Sequence, residues 1–368
     1  MILSGISLKN FRTHKNANLK FSENLNYLVG GNGEGKTTVL EAAYYLCTTK
    51  SFNSKDSEVV NFDEQEFEIL GKFKDLTEDN IRIYFSLSDN RKHYFQNDKL
   101  ISRNSQIIGK YPVVFLSPAD HQITQGSPSE RRKFVDSIIS QASSTYLSIL
   151  LDYNRVLKQR SAVLARLKEN YDKQIMLELD AWTEKLIDGG IELINYRKKF
   201  VSEFNDYIKN SYLRIVELSE IPDMKYECNI NDQYNIAESF RAILSEKRNE
   251  EIKRAANLVG PHRDDYIFTI NGINLKTYGS QGQHKTFQAS IRFAEFFYLK
   301  NITGKKPIFL LDDLFGELDA YRAGKISMYL KEVGQAFITL TDFADFKFLS
   351  KEEKDLIIKL ANGTITYA

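Results

Sequence analysis

The sequence is poor in the residues that build covalent or metal frameworks. It holds two cysteines, Cys47 and Cys228, with no C-x-x-C pair, so neither a disulfide framework nor a cysteine metal site is expected, and the thiols fit a reducing cytoplasm. An excess of either charge is missing too. Lys plus Arg number 50 against 49 Asp plus Glu, a net charge of +1, so affinity for a polyanion must come from charge segregated on one face. No apolar run reaches the length of a membrane span. The start, Met1-Ile2-Leu3-Ser4-Gly5, lacks the basic residues and long apolar core of a secretory leader, so a soluble, cytoplasmic protein with no membrane partner is expected. Neither repeats nor low-complexity tracts interrupt the chain, and its 368 residues suffice to bury one large core or two intergrown ones.

What is present begins with Gly30-Gly31-Asn32-Gly33-Glu34-Gly35-Lys36-Thr37-Thr38. This matches G-x-x-x-x-G-K-[ST] in the required context: a mostly apolar strand over 25–29 before it and a helix over 37–46 after it. In such a loop, backbone N–H groups at a helix N-terminus converge on phosphate oxygens, and glycine permits both positive φ and close approach. Lys36 is expected on the β- and γ-phosphates and the Thr37 hydroxyl on Mg²⁺.

Around that loop the hydrophobic pattern gives strands over 2–8, 18–21, 67–73, 81–87, 93–96 and 113–116, an antiparallel layer flanking a parallel nucleotide-binding core. From about 129 to 258 strands give way to long segments dense in Leu, Ile, Lys, Arg and Glu, with helical spacing at Leu147, Leu151, Asn154 and Leu157 and at Trp182, Leu186, Gly189 and Leu193. The expected organisation is therefore an α/β ATPase head in two halves, 1–118 and 258–368, interrupted by a helical insert over 119–257. Most basic residues of the insert, Arg155, Lys158, Arg160, Arg166 and the run Arg197-Lys198-Lys199, read as a solvated helix face. Arg131, Arg132 and Lys133, just after Pro128 and near the junction, are the exception to consider.

The second half supplies the rest of the site. The apolar run 308–311 suits a doubly covered parallel strand and ends in Asp312-Asp313. Asp312 is assigned to Mg²⁺ and Asp313 to the attacking water. Ser280-Gln281-Gly282-Gln283, opening a long helix, reads as a second anion-binding terminus. One nucleotide needs one phosphate loop. The second element is explained if it faces the γ-phosphate held by another copy of the chain, the head-to-tail arrangement of ABC-type ATPases, which this order of motifs resembles.

More specifically, the chain resembles the RecF family of bacterial recombination mediator ATPases over essentially its full length. The residues that carry the resemblance are Leu8-Lys9-Asn10-Phe11-Arg12, the phosphate loop, Ser51-Phe52, Phe115-Leu116-Ser117-Pro118-Ala119-Asp120, Gly126-Ser127-Pro128 with Arg131-Arg132-Lys133-Phe134-Val135-Asp136, Gly260-Pro261-His262-Arg263-Asp264-Asp265, the stretch 278–283, and the stretch 310–319 including Phe315-Gly316-Glu317-Leu318-Asp319. The resemblance implies an ABC-type P-loop head with a mixed sheet and an antiparallel lobe, ATP-dependent dimerisation, DNA binding, for which Arg131 and Arg132 are the candidate contacts, and slow ATP hydrolysis. It also implies work with RecO and RecR in loading RecA at gaps, in DNA repair and replication. His284-Lys285, where the family often has Gln-Arg, and Thr38, where Asn is common, depart from the pattern. At Thr339-Leu340-Thr341-Asp342, where transporters have a switch histidine, hydroxyls and Asp342 are candidates to sense the γ-phosphate. Two alternatives remain beside a DNA clamp: a transporter-type ATPase subunit, and a nucleotide-gated repair scaffold whose turnover is incidental.

Overall fold

The computed structural model describes all residues except 53, 217–219, 231–234, 316–318, 343–348 and 350. The chain divides into two compact units. The first comprises 1–121, 210–219 and 281–368, and the second comprises 122–209 and 220–280.

Two six-stranded sheets and the helix Lys36–Thr48 form the first unit's core. One sheet is antiparallel, in the order His14–Lys20, Ile2–Phe11, Glu66–Lys74, Glu78–Ser86, Arg91–Gln96, Lys99–Leu100. Its strands alternate, as a sheet with one buried face must. Phe67 and Ile69 lie opposite Phe85 and Ile83, and all four are buried while Glu68 and Arg82 point outward as an ion pair. The other sheet runs Thr364–Tyr367, Leu356–Ala361, Leu25–Val29, Ala336–Leu340, Ile308–Leu311, Val113–Leu116. All its pairings are parallel apart from the final hairpin. Strands covered on both faces need continuous apolar sequence, and Leu25–Val29, Ile308–Leu311 and Ala336–Leu340 are buried at every position. Asn26 breaks the apolar run without cost to satisfaction. Its amide donates to Ser22 O and Asn24 O and accepts from Ser22 N, so the side chain is spent on its own turn.

The helix Lys36–Thr48 packs against both sheets, which explains why it is buried nearly all round. Gly71 makes that approach possible: a Cβ there would stand 2.5 Å from Leu46 Cδ1. Gln335 ties the sheets together, accepting from Leu3 N at 2.7 Å and donating to Leu3 O and Ser22 O at 2.8 Å each.

The second unit is helical, with Pro128–Ala142, Ser144–Glu169, Ile236–Arg254 and most of Lys173–Ile215, and it contains a three-stranded sheet, Ile273–Asn274, Asp265–Ile270, Pro222–Glu227. Four sequence expectations change here. The strand Pro222–Glu227 lies in the stretch read as helical; its alternation is short and its exposed positions are charged, so pairing with Asp265–Ile270 decides it. That pairing also places residues 258–280 in the second unit, whereas they were expected with the C-terminal half of the head. Leu151 is 51% exposed, so the buried face of Ser144–Glu169 runs through Tyr146, Tyr153, Val156, Arg160, Val163 and Leu167 instead. Finally, Arg160 and Arg197 are not solvated. Arg160 is 1% exposed and holds Glu251 at 2.6 Å; Arg197 is 2% exposed and holds Asp136 at 2.8 and 2.9 Å. Helical spacing alone cannot reveal a carboxylate brought in from another helix.

Candidate nucleotide site

Where the strand Leu25–Val29 ends, the chain turns through the glycine loop into Lys36–Thr48. Gly33 and Gly35 adopt φ of 83° and 86°. At Gly35 the need is steric as well: a Cβ would fall 2.4 Å from His14 Nε2, whose ring sits 3.2 Å from Gly35 O. Lys36 Nζ donates to Gly30 O and to Gly31 O, the latter at 2.7 Å, which holds the ammonium over the loop. Burial lowers its pKa, against the opposing charges of Asp313, Asp312 and Glu34. Glu34 is turned away, its carboxylate accepting from Asn362 N at 2.7 Å. Thr38 is buried in the helix.

The parallel strand Ile308–Leu311, separated from Leu25–Val29 by Ala336–Leu340, delivers Asp312 to the same place. The Thr37 hydroxyl donates to Asp312 Oδ1 at 2.9 Å, joining residues 275 positions apart in sequence. Thr339 adds a second hydroxyl on the same oxygen at 2.9 Å while accepting from Asp313 N at 2.9 Å. Desolvation raises the Asp312 pKa, opposed by those two hydrogen bonds. Asp313 adopts φ 48°, a left-handed conformation uncommon outside glycine, which turns the backbone directly after the strand.

Lys36, Thr37, Asp312, Asp313, Asn32, Gly33 and Gly35 thus share one cavity of about 320 Å³, closed by Thr13, Pro118, Thr339 and Thr341. This volume lies within the range of small-molecule and cofactor pockets. The donor set is hard: hydroxyl and carboxylate oxygens with a lysine and main-chain N–H groups, which suits Mg²⁺ with phosphate and no softer metal. Thr13 and His14 are site residues that sequence reading missed. They lie just beyond Arg12, and no motif marks a wall reached from the other sheet.

Other expected residues are placed differently. Gln281, Gly282 and Gln283 open the helix Gln281–Thr303 but do not line this cavity. Ser280, exposed, immediately precedes that helix. Gly282 is crowded by the Arg322 guanidinium, 3.2 Å from where a Cβ would stand. Gly316, Glu317 and Leu318 lie outside the described residues. In the second unit Arg131 is 4% exposed, bidentate to Asp265 at 2.7 and 2.8 Å, and donates to Gly126 O. That corrects its assignment to DNA: its guanidinium is committed to tying Pro128–Ala142 to the sheet. Arg132 is only half-buried.

A phosphate loop after a central parallel strand, an acidic pair on a second parallel strand of the same sheet, and an antiparallel sheet across the loop helix define an ATPase head of the ABC and SMC kind. A family model described as AAA ATPase domain matches residues 1–290. DNA replication and repair protein RecF of Chloroherpeton thalassium is 40% identical, over 94% of this chain and 96% of its own length. The protein of the same name from Streptococcus agalactiae is 37% identical, over 100% and 98%. Among solved structures, that of the recombination mediator protein RecF-ATPrS in the RecFOR pathway superposes with a TM-score of 0.89 at 31% identity, covering 100% of this chain and 98% of that one. An Smc head domain from Pyrococcus furiosus, 14% identical with a TM-score of 0.57, shares the fold. The chain belongs to the RecF family. Among the described residues, no helix is long and apolar enough to cross a membrane.

Proposed function

We propose that the protein is an ATP-gated DNA clamp of recombinational repair and replication. The observation that carries this reading is the Thr37–Asp312 hydrogen bond, which assembles the phosphate loop and the acidic strand end in one cavity with Lys36. Lys36 and the loop N–H groups bind and orient the phosphates of ATP. Thr37 and Asp312 would hold Mg²⁺, which would neutralise negative charge on the phosphates during transfer. Asp313 orients the attacking water. Catalysis of this kind is positioning plus electrostatics, so slow turnover serves as a switch.

The residues Ser280, Gln281, Gly282 and Gln283 close over the γ-phosphate held by a second copy. This accounts for an anion-binding helix terminus that the chain's own cavity does not use. Closure brings basic surface onto duplex or gapped DNA, hydrolysis releases it, and RecO and RecR cooperate in loading RecA. Solved relatives support the ATP and pathway parts of this reading by analogy, one of them being the recombination mediator protein RecF-ATP in the RecFOR pathway. The head is composite in sequence, drawn mainly from 1–121 and 281–368 on either side of the helical unit.

Sedimentation with ATP tests the assembly. Lys36→Ala is expected to abolish nucleotide binding and dimerisation together, and Asp313→Asn to bind ATP and accumulate as dimer. Ser280→Arg should bind ATP yet stay monomeric; if it dimerises like wild type, the cross-copy contact is wrong.

A further inference from the structure

Outside the nucleotide site, the second unit carries its own polar cavity of about 420 Å³, bounded by the helices Pro128–Ala142 and Ser144–Glu169 and by His262. Its chemistry turns on one arginine. Elsewhere, arginines withdrawn from solvent are matched by acids: Arg131 with Asp265, Arg160 with Glu251, Arg197 with Asp136, Arg292 with Asp120. Arg132 is the exception. Its guanidinium donates from Nη1 to the main-chain oxygen of Asp264 at 2.6 Å, and among the described residues no carboxylate pairs with it. A guanidinium has five N–H donors, so most of this fork is unspent.

The surroundings do not supply the missing charge. Asp136 also lines the cavity, but both its oxygens are taken by Arg197, with Tyr146 donating as well. His262 is kept neutral by burial, with Nδ1 against the Tyr153 hydroxyl at 2.9 Å and Nε2 facing Asn257 O at 3.2 Å. Lys133 reaches Glu130 at 2.8 Å on the exposed side. Desolvation and then the charge of Arg197 depress the Arg132 pKa, outweighing Asp265, Asp136 and Asp264. A cation beside a second arginine, whose nearest acids are already spent on Arg131, Arg197, Tyr226 and Asn229, is stabilised by an incoming anion. Ser129, Lys133 and Ser137 recur every four residues along Pro128–Ala142, with Arg132 beside Lys133, and all line the cavity, so hydroxyls and cations meet on one side of that helix.

We propose that this cavity is a phosphodiester subsite, in which Arg132, assisted by Lys133 and the hydroxyls of Ser129 and Ser137, takes a backbone phosphate of DNA. The planar fork suits two phosphate oxygens, and such a contact positions the duplex without reading its bases. The inference rests on the DNA-clamp reading and assigns a contact residue to it.

The test is fluorescence anisotropy of a labelled duplex with the full chain, ATP and Mg²⁺, across a salt series. Each phosphate contact adds about 0.9 to the slope of log affinity against log salt. Arg132→Gln is expected to weaken binding about tenfold and to lower the slope by about 1, equally on unrelated sequences. Arg132→Lys should keep the slope and lose part of the affinity. Arg241→Gln, at an exposed arginine paired with Glu184, is the control and should change neither. Ser137→Glu, at an exposed position, removes no internal contact and should also weaken binding, which decides the matter if Arg132→Gln fails to fold. Wild-type slope and affinity in Arg132→Gln, or in Ser137→Glu where the former does not fold, overturn the subsite while leaving the clamp standing. A wild type without salt-dependent DNA affinity overturns both.

Discussion

Gly35 concentrates the demands of the nucleotide loop at one residue. Its φ of 86° would cost an L-residue roughly 1–2 kcal/mol, and its Cβ would collide with the His14 imidazole. Gly35→Ala should therefore lower nucleotide affinity at least about tenfold, since strain of that order is spread over the groups that contact phosphate. Calorimetric titration with ATP checks it, and His14→Ala in the same chain should restore part of the loss by removing the obstructing ring. His262 makes a residue-scale prediction of another kind. Burial pushes its pKa down to about 4, reinforced by the positive charges of Arg263, Arg132 and Arg160 and opposed by the Asn257 carbonyl. A histidine depressed on folding is protonated first in the unfolded chain, so its contribution is complete above the unfolded value near 6.5 and is lost as pH falls toward 4. The full term is at most about 3 kcal/mol. Urea midpoints of wild type and His262→Gln should converge over that window; parallel pH curves would show that His262 does not titrate this way.

At the scale of elements, legibility depended on burial symmetry. Ile308–Leu311 could be read because a strand covered on both faces is apolar throughout, and Glu66–Lys74 because one covered face imposes alternation. Pro222–Glu227 has neither signal, since it is short and pairs with Asp265–Ile270 on one side only. Helices were legible as helices but not as faces. Arg160 reads as surface in Ser144–Glu169, yet it spends its guanidinium on Glu251, Asn257 and Thr183, three partners from elsewhere in the chain. Removing one partner of a buried pair leaves the other charge unsatisfied, so Arg160→Ala should cost about 3–5 kcal/mol, whereas Arg160→Met with Glu251→Leu should recover most of it. Urea unfolding of wild type and the two variants tests this: equal losses in the single and double variants would show that packing, not charge, sets the cost.

For the whole molecule, the decisive feature is that the chain returns to its parallel sheet after a long excursion. Leu25–Val29 and Ile308–Leu311 both flank Ala336–Leu340, and only that order sets Thr37 beside Asp312. Local sequence determined the phosphate loop and its glycines, the acidic strand end and the helical insert, because each is dictated by short-range sterics, periodicity or the chemistry of a phosphate-binding turn. Tertiary structure alone decided that Thr13 lines the site and His14 backs its loop, that the Thr339 hydroxyl is spent on Asp312, that Arg131 is committed to Asp265, and that Arg132 is left without an acid. These outcomes depend on which distant group arrives at a given side chain, and the energy of a charge or hydroxyl away from water is set by that neighbour rather than by its own position in the sequence.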